Sequence, residues 1–536
     1  MLMYHHHPFI TLDTFLEKNP DFVMGNVICA ISSYLTGLGD ERVYYDRIKD
    51  TLSQDPNQKE YTKNEHLYLN VLSALRCNRI HYAINTLESI LMNDPVDILC
   101  INTLHSLYQM LGRAESMYAS LSRVWSFWGI NIPCDELMAG YRASCLSLLG
   151  RGEEAEKVGM QTLSGNAQDV RAVHAVLHGR TREGLRFLRE TARAWSNHPV
   201  DYTTGSTLDH HLLSHKMTLN MQVKQYGNAV VLLDGMLLRE QELVAKTEGE
   251  SSDKATDKTT DKASDKATDK SEKEKEKKEK KETKAEKRER RRREKEPRAY
   301  RETVDSAEVD EQETLTSDHV NDYVHVLYRM ELLGEGMGDR WAQVLDLLRR
   351  THKRFLTPVD TVYRALLFSV TGQEAPLQAL LSGDAAREQD ALWQELQLPE
   401  TQLKWEHVRG DDRLNSLAAV DVVRPVVDAL LELNSEHYAP ASRLLFQHRE
   451  AFGQLGGEPR DAELLLFSLV KALDGCGMHR VLERVLNDFT SQNAKRADAY
   501  ILLADCVKKM GFVRKAETLN DFAHNLGFEQ GGNETN

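Results

Sequence analysis

Histidine spacing is the feature most able to do chemistry: His174 and His178 lie four residues apart in one helical stretch, and His211 and His215 repeat the interval in another. Residues four apart on a helix have Cβ atoms roughly 5–6 Å apart, so each pair would point two imidazoles along one face. Two such pairs facing each other would supply four ligands for a transition metal such as zinc, or a polar pocket for an anion. Three readings stand. In the first the histidines are hydrogen-bonded packing residues on the concave face of a repeat stack; in the second they line a ligand or partner pocket; in the third they form a metal centre. The order follows from what is missing. No carboxylate is placed to act as the general base does in HExxH, and the outer-shell partners of a metal cannot be read from sequence. Sequence alone therefore predicts no cofactor, with zinc as the alternative. Arg329, a cation in the apolar run LYRMEL, is either an anion contact in the groove or a snorkelling surface residue, and the second is preferred.

Other catalytic devices are absent. The chain contains no GxxxxGK[ST] or GxGxxG phosphate loop, no GxSxG elbow and no zinc-ribbon cysteine spacing. The seven cysteines, Cys29, Cys77, Cys100, Cys134, Cys145, Cys476 and Cys506, are odd in number and widely spaced, as reduced thiols packed in helices would be. No run of 18 apolar residues and no leader pattern is present, which predicts a soluble cytoplasmic protein with no membrane contact. His5, His6 and His7 form a terminal tract whose default reading is a flexible end.

The elements that would hold the histidines are helices throughout. Apolar residues recur three and four apart from Thr62 to about Leu243 and again from His319, and no segment alternates as a strand would. Leu67, Val71, Ala74, Ala83, Leu87, Ile90 and Pro95 fall at the offsets of a tetratricopeptide unit, in which small residues let two antiparallel helices approach. Ala155, Ala229, Ala441 and Ala516 repeat the device. Turns are marked by Leu111-Gly112, Ile132-Pro133, Leu149-Gly150 and Met510-Gly511. The prediction is an all-α, tetratricopeptide-like α-solenoid of stacked antiparallel hairpins, with a helical arm over 1–246, a disordered low-complexity insert over 247–306 and a second arm over 307–536.

The insert also carries the charge asymmetry. The chain is −14 overall, but residues 251–300 hold 20 Lys and Arg against 14 Asp and Glu, so that segment is +6 and the remainder −20. Such a tract buries too little apolar surface to offset its ordering entropy. The acidic remainder disfavours nucleic acid, and only RERRRR at 288–293 would serve as an RNA contact or an import signal; a solvated linker is preferred.

An ordered series of segments goes beyond the generic repeat. NPDFVMG (19–25), HLYLNVLSALRCNRIHYAINTLESILMNDPVDIL (66–99), WSFWGINIP (125–133), LYRMELLGEGMGDRW (327–341) and QLGG followed by Arg460-Asp461 resemble the tetratricopeptide repeat protein 38 family, in order and across nearly everything but the insert. Trp125, Phe127, Trp128 and Pro133 are its more specific marks. The resemblance implies a curved helical solenoid and no settled reaction. It also implies that His174, His178, His211 and His215 match the family's histidine-bearing helices. This chain departs from the pattern after His178, where Gly179, Arg180 and Thr181 replace expected His and Glu, and at Leu212 and Ser214, where Asn and Trp are expected.

Two functions follow. The first is a non-enzymatic scaffold that takes a protein or peptide partner in its groove. The second is a small-molecule or metal-binding protein, possibly hydrolytic, built on His174, His178, His211 and His215 with Arg329 beside an anionic group. Imidazoles converging on one point favour the second; histidines scattered over different faces leave the first. Arg460-Asp461 reads as a helix cap, and Trp125, Phe127 and Trp128 as a wedge between hairpins.

Overall fold

The computed structural model describes residues 12, 15–36, 41–54, 60–77, 79–129, 131–167, 169–177, 184–188, 207–238, 240–241, 317–350, 357–382, 422–494 and 496–528. The 247–306 insert with its RERRRR run, His178, and the terminal His5–His7 tract lie outside them. No helix among the described residues is long and apolar enough to cross a membrane.

Among the described residues the fold is all-α, a succession of packed helical hairpins. Its helices follow in chain order: α1 Val23–Thr36, α2 Glu41–Ser53, α3 Lys63–Arg76, α4 Ile80–Asn93, α5 Ile98–Met110, α6 Ala114–Val124, α7 Asp135–Leu148, α8 Gly152–Gly165, α9 Val170–Leu177, α10 Thr207–Gln222 and α11 over 226–238. After these come α12 Ser317–Leu332, α13 Arg340–Arg350, α14 Pro358–Val370, α15 Glu374–Ser382, α16 Arg424–Asn434, α17 Tyr438–His448, α18 Pro459–Gly475, α19 His479–Gln492, α20 Ala497–Lys509 and α21 Val513–Phe528. Neighbours pack as hairpins, α3 on α4, α7 on α8, α16 on α17 and α20 on α21 among them.

One turn is used repeatedly. The amide five residues on bonds back to the last turn of the first helix: Arg113 to Tyr108, Arg151 to Leu146, Glu335 to Met330, Gln373 to Phe368, Met478 to Leu473 and Phe512 to Val507, at 2.7–3.0 Å. The residue before each donor is a left-handed glycine, as this helix ending requires. Lys224 and Glu436 take the same conformation without glycine. The small residues then seat the helices: Ala74, Ala83, Ala155, Ala229, Ala441 and Ala516 are all buried. Apolar packing divides into one large core over residues 23–145 and another over 217–516. Both belong to a single compact unit formed by 1–237 together with 315–536.

Within this unit, segments far apart in the chain meet at a seam. The turn after α5 abuts the glycine-rich turn before α18: a Cβ on Gly112 would collide with the Gly453 carbonyl oxygen, and one on Gly456 with that of Met110. The Gly457 amide donates to the Gln109 carbonyl at 3.2 Å. A second tie is electrostatic. Arg329 of α12, 3% exposed, donates to Glu463 of α18 at 3.2 Å and lies 3.6 Å from Asp498 of α20, while its guanidinium stacks 3.5 Å over Phe467. Arg496 closes the set with paired bonds to Glu463 and Asp498. Burial alone would raise the Glu463 pKa, but Arg496 and Arg329 outweigh it and hold the group at about 2. Both cations are matched by carboxylates, so Arg329 is a buried clamp between α12, α18 and α20 and not the snorkelling surface residue preferred from sequence, because neighbouring helices cover it on every side.

Two expectations follow. Gly456→Ala should destabilise the protein by about 3 kcal/mol in urea unfolding, since its φ and ψ of 85° and −166° suit glycine alone and a Cβ would meet Met110, whereas Gly150→Ala, also at positive φ but in open space, should cost only about 1 kcal/mol. Arg329→Ala should cost about 3–5 kcal/mol by the same measurement, and Arg329→Met clearly less, since the apolar stem still packs on Phe467.

Candidate metal centre

The site depends on α12. Residues Asp322 to Met330 are buried without a break, because α10, α13, α14 and α18 surround the helix. Asp322, His325 and Arg329 share one stripe of it, and a buried polar side chain must find a partner. The first turn of α18 supplies them. Arg460 donates to Asp322, His325 Nδ1 lies 3.5 Å from Asp461 and 2.9 Å from the Tyr363 hydroxyl, and Arg329 takes Glu463. Asp461 also accepts the Glu458 amide at 2.7 Å, which bears out its reading as a capping residue. Pro459 at the first helical position fixes the entry of the turn.

This ladder fixes Glu458 just before α18, 7% exposed, against three imidazoles. His174 Nε2 and His211 Nε2 lie 3.0 and 2.9 Å from Glu458 Oε1, and His215 Nε2 lies 3.0 Å from Oε2. The nitrogens are equally close to one another: His215 Nε2 is 3.0 Å from that of His174 and 3.1 Å from that of His211. One ligand atom from each of the four residues falls within 4.8 Å of every other. The two histidines of α10 present one face, as their four-residue spacing predicts. His174 of α9 comes to meet them, and His178, its expected companion, lies outside the described residues.

The surroundings are charged. His211 Nδ1 faces Asp322 at 3.1 Å and the Arg460 guanidinium at 3.1 Å, and Arg460 donates to the Ser214 hydroxyl at 2.5 Å. Burial disfavours an imidazolium at His211, but Glu458 and Asp322 outweigh it and hold its pKa at about 10. Burial and the nearby Arg460 push His215 the other way, well below the usual histidine range. Glu458 and Asp322 stay ionised despite burial, because His211 and its neighbours hold both well below the usual carboxylate range. Asp322, Glu458 and Asp461 against Arg460 and the His211 imidazolium leave the cluster at −1, and at −2 when all three imidazoles are neutral, as metal ligands are.

Several residues escaped sequence reading. Glu458 is some 240 positions from the histidines in the chain, and no local spacing betrays it. Asp322 and His325 did carry a signal, since with Arg329 they form an i, i+3, i+7 polar stripe on an otherwise apolar helix. Arg329 joins a different part of the ladder from the histidines and touches no part of their cage. Trp125, Phe127 and Trp128 serve elsewhere: Trp128 Nε1 donates to the Pro95 carbonyl at 3.1 Å, Arg142 lies over Trp125, and Phe127 is exposed.

No family model matches the chain. Among solved structures it is similar to yeast Tom70, at 11% identity over 90% of this chain and 88% of that one, with a TM-score of 0.28. It is also similar to the human IFIT1 dimer with m7Gppp-AAAA, at 9% identity over 90% and 94%, TM-score 0.28. A third is Naa15/Naa10 bound to HypK-THB, at 12% identity over 96% and 60%, TM-score 0.21.

Proposed function

We propose that this helical-repeat protein is a metal-binding protein, with His174, His211, His215 and Glu458 holding one divalent transition metal, zinc foremost. One observation carries this: His215 Nε2 lies within 3.1 Å of two other imidazole nitrogens and a carboxylate oxygen. A single hydrogen on that nitrogen cannot serve three neighbours, whereas a cation among them takes a lone pair from each. Zinc–nitrogen bonds of about 2.0–2.1 Å put tetrahedral ligands about 3.3 Å apart, a few tenths wider than the spacing here. Charge supports the same reading, because a dication offsets the −2 of the buried cluster. So does Asp322, which faces the far nitrogen of His211 as outer-shell carboxylates face zinc-bound histidines.

The scaffold reading keeps its repeat frame, yet the histidines it assigned to a groove are covered by Glu458 of the same chain. The ordered segments shared with the tetratricopeptide repeat protein 38 family support kinship with it. Seven cysteines with no disulfide among them fit a reducing, cytoplasmic compartment.

The test is zinc titration by calorimetry of the full chain, stripped with chelator and carrying Ala at His5, His6 and His7. One equivalent should bind. His215→Ala and Glu458→Gln should each abolish stoichiometric binding, Asp322→Asn should weaken it on the order of 10–100-fold, and exposed His437→Ala should change nothing. A parent chain that takes up no zinc, cobalt, nickel or iron overturns the proposal.

A further inference from the structure

We infer that metal occupancy of the His174–His211–His215–Glu458 cage closes the seam between the turn after α5 and the turn before α18, so that the protein has a metal-locked and a metal-free seam. This rests on the metal-centre reading.

The argument begins with where the ligands come from. Three belong to α9 and α10, and the fourth to a residue presented by the turn Gly453-Gln454-Leu455-Gly456-Gly457. Gly456 and Gly457 both have positive φ, +85° and +78°, so this turn has a wide choice of conformations and orders only where something holds it. Two things do. One is α5: Gln109 accepts the Gly457 amide and donates through Nε2 to Glu458 Oε1 at 3.2 Å, while Gly112 and Gly456 touch backbone to backbone. The other is the cage, which holds the same carboxylate oxygen through His174 and His211.

Glu458 is thus shared. Its Oε1 is at once a seam acceptor and a metal ligand, so any free energy gained at one contact is felt at the other. Without a metal, the three carboxylates of Asp322, Glu458 and Asp461 still outnumber the two cations that face them, Arg460 and the His211 imidazolium, in a water-poor interior. That imbalance favours swinging Glu458 outward on its glycine hinge, which takes Gly456 and Gly457 away from α5. With a cation, the metal held by the three imidazoles pulls Glu458 inward and the turn is pressed against Gln109 and Gly112. Linkage makes the coupling reciprocal: what loosens the seam must weaken the metal by the same factor.

The experiment is amide hydrogen exchange on the chelator-stripped full chain, read by mass spectrometry with and without one equivalent of zinc, beside zinc affinity of the seam variants Gln109→Leu and Gly112→Ala. Zinc should slow exchange in peptides over 105–113 and 450–460, and leave peptides of α20 and α21 unchanged. Gly112, which touches no ligand, should when replaced by Ala weaken zinc on the order of 10-fold, and Gly150→Ala should not. Should Gly112→Ala fail to fold, Gln109→Leu and the parent's exchange carry the test. Stoichiometric zinc with identical exchange at the seam and unaltered affinity in the variants overturns the coupling and leaves the centre standing. A parent that takes up no zinc overturns both.

Discussion

The complete burial of α12 is the constraint on which the rest of the structure depends. A helix with neighbours on every side can be apolar throughout, or it can carry polar side chains whose partners come from those neighbours. Asp322, His325 and Arg329 make it the second kind. Each would be costly to bury alone, and each is met by a residue from the first two turns of α18. The register of α18 against α12 is thereby specified by charge as well as by shape: a shift of one turn would part Arg460 from Asp322 and Arg329 from Glu463. Apolar packing between repeats tolerates such slips more readily, since one leucine replaces another at small cost.

That register has a consequence beyond stability. Fixing Arg460, Asp461 and Glu463 on α12 also fixes the residue just ahead of them, and Glu458 is carried into the space between α9 and α10. The histidines on those helices would otherwise be three imidazoles with little acid nearby. The cage is therefore a by-product of the ladder as much as a feature of the histidine helices. It explains why its four members come from such distant parts of the chain.

Much of the frame was legible in advance and the centre only in part. Helix positions follow from three- and four-residue periodicity, and the hairpin turns from glycine at the end of each first helix, because both signals are local. Ala83, Ala155 and Ala229 declared close helix contacts for the same reason. The shared face of His211 and His215 was equally local, being a matter of four residues on one helix. Lys224 and Glu436 show the limit of this: they adopt the turn that glycine marks elsewhere, and no residue type announces it. Glu458 shows a harder limit. Its role depends on which helix faces meet across the interior, information held in the packing of residues more than a hundred positions apart. Arg329 was noticed for the correct reason, a cation in an apolar run, yet its partners Glu463 and Asp498 lie on helices whose position could not be foreseen.

A repeat stack built from hairpins alone contacts only its nearest neighbours, and its ends are free to flex relative to each other. The seam removes that freedom by a contact between α5 and the turn before α18, about 340 residues apart. It is made with backbone, through glycines that admit no side chain. Backbone contact of this kind is precise and weak, since it buries little apolar surface. Placing a charged cage directly behind it supplies the strength it lacks. On the metal-binding reading proposed above, closure would then depend on what the cage contains, because neutral imidazoles and carboxylates are well balanced around a dication. A frame that needed only rigidity would have filled the same space with leucine, as its other hairpins do.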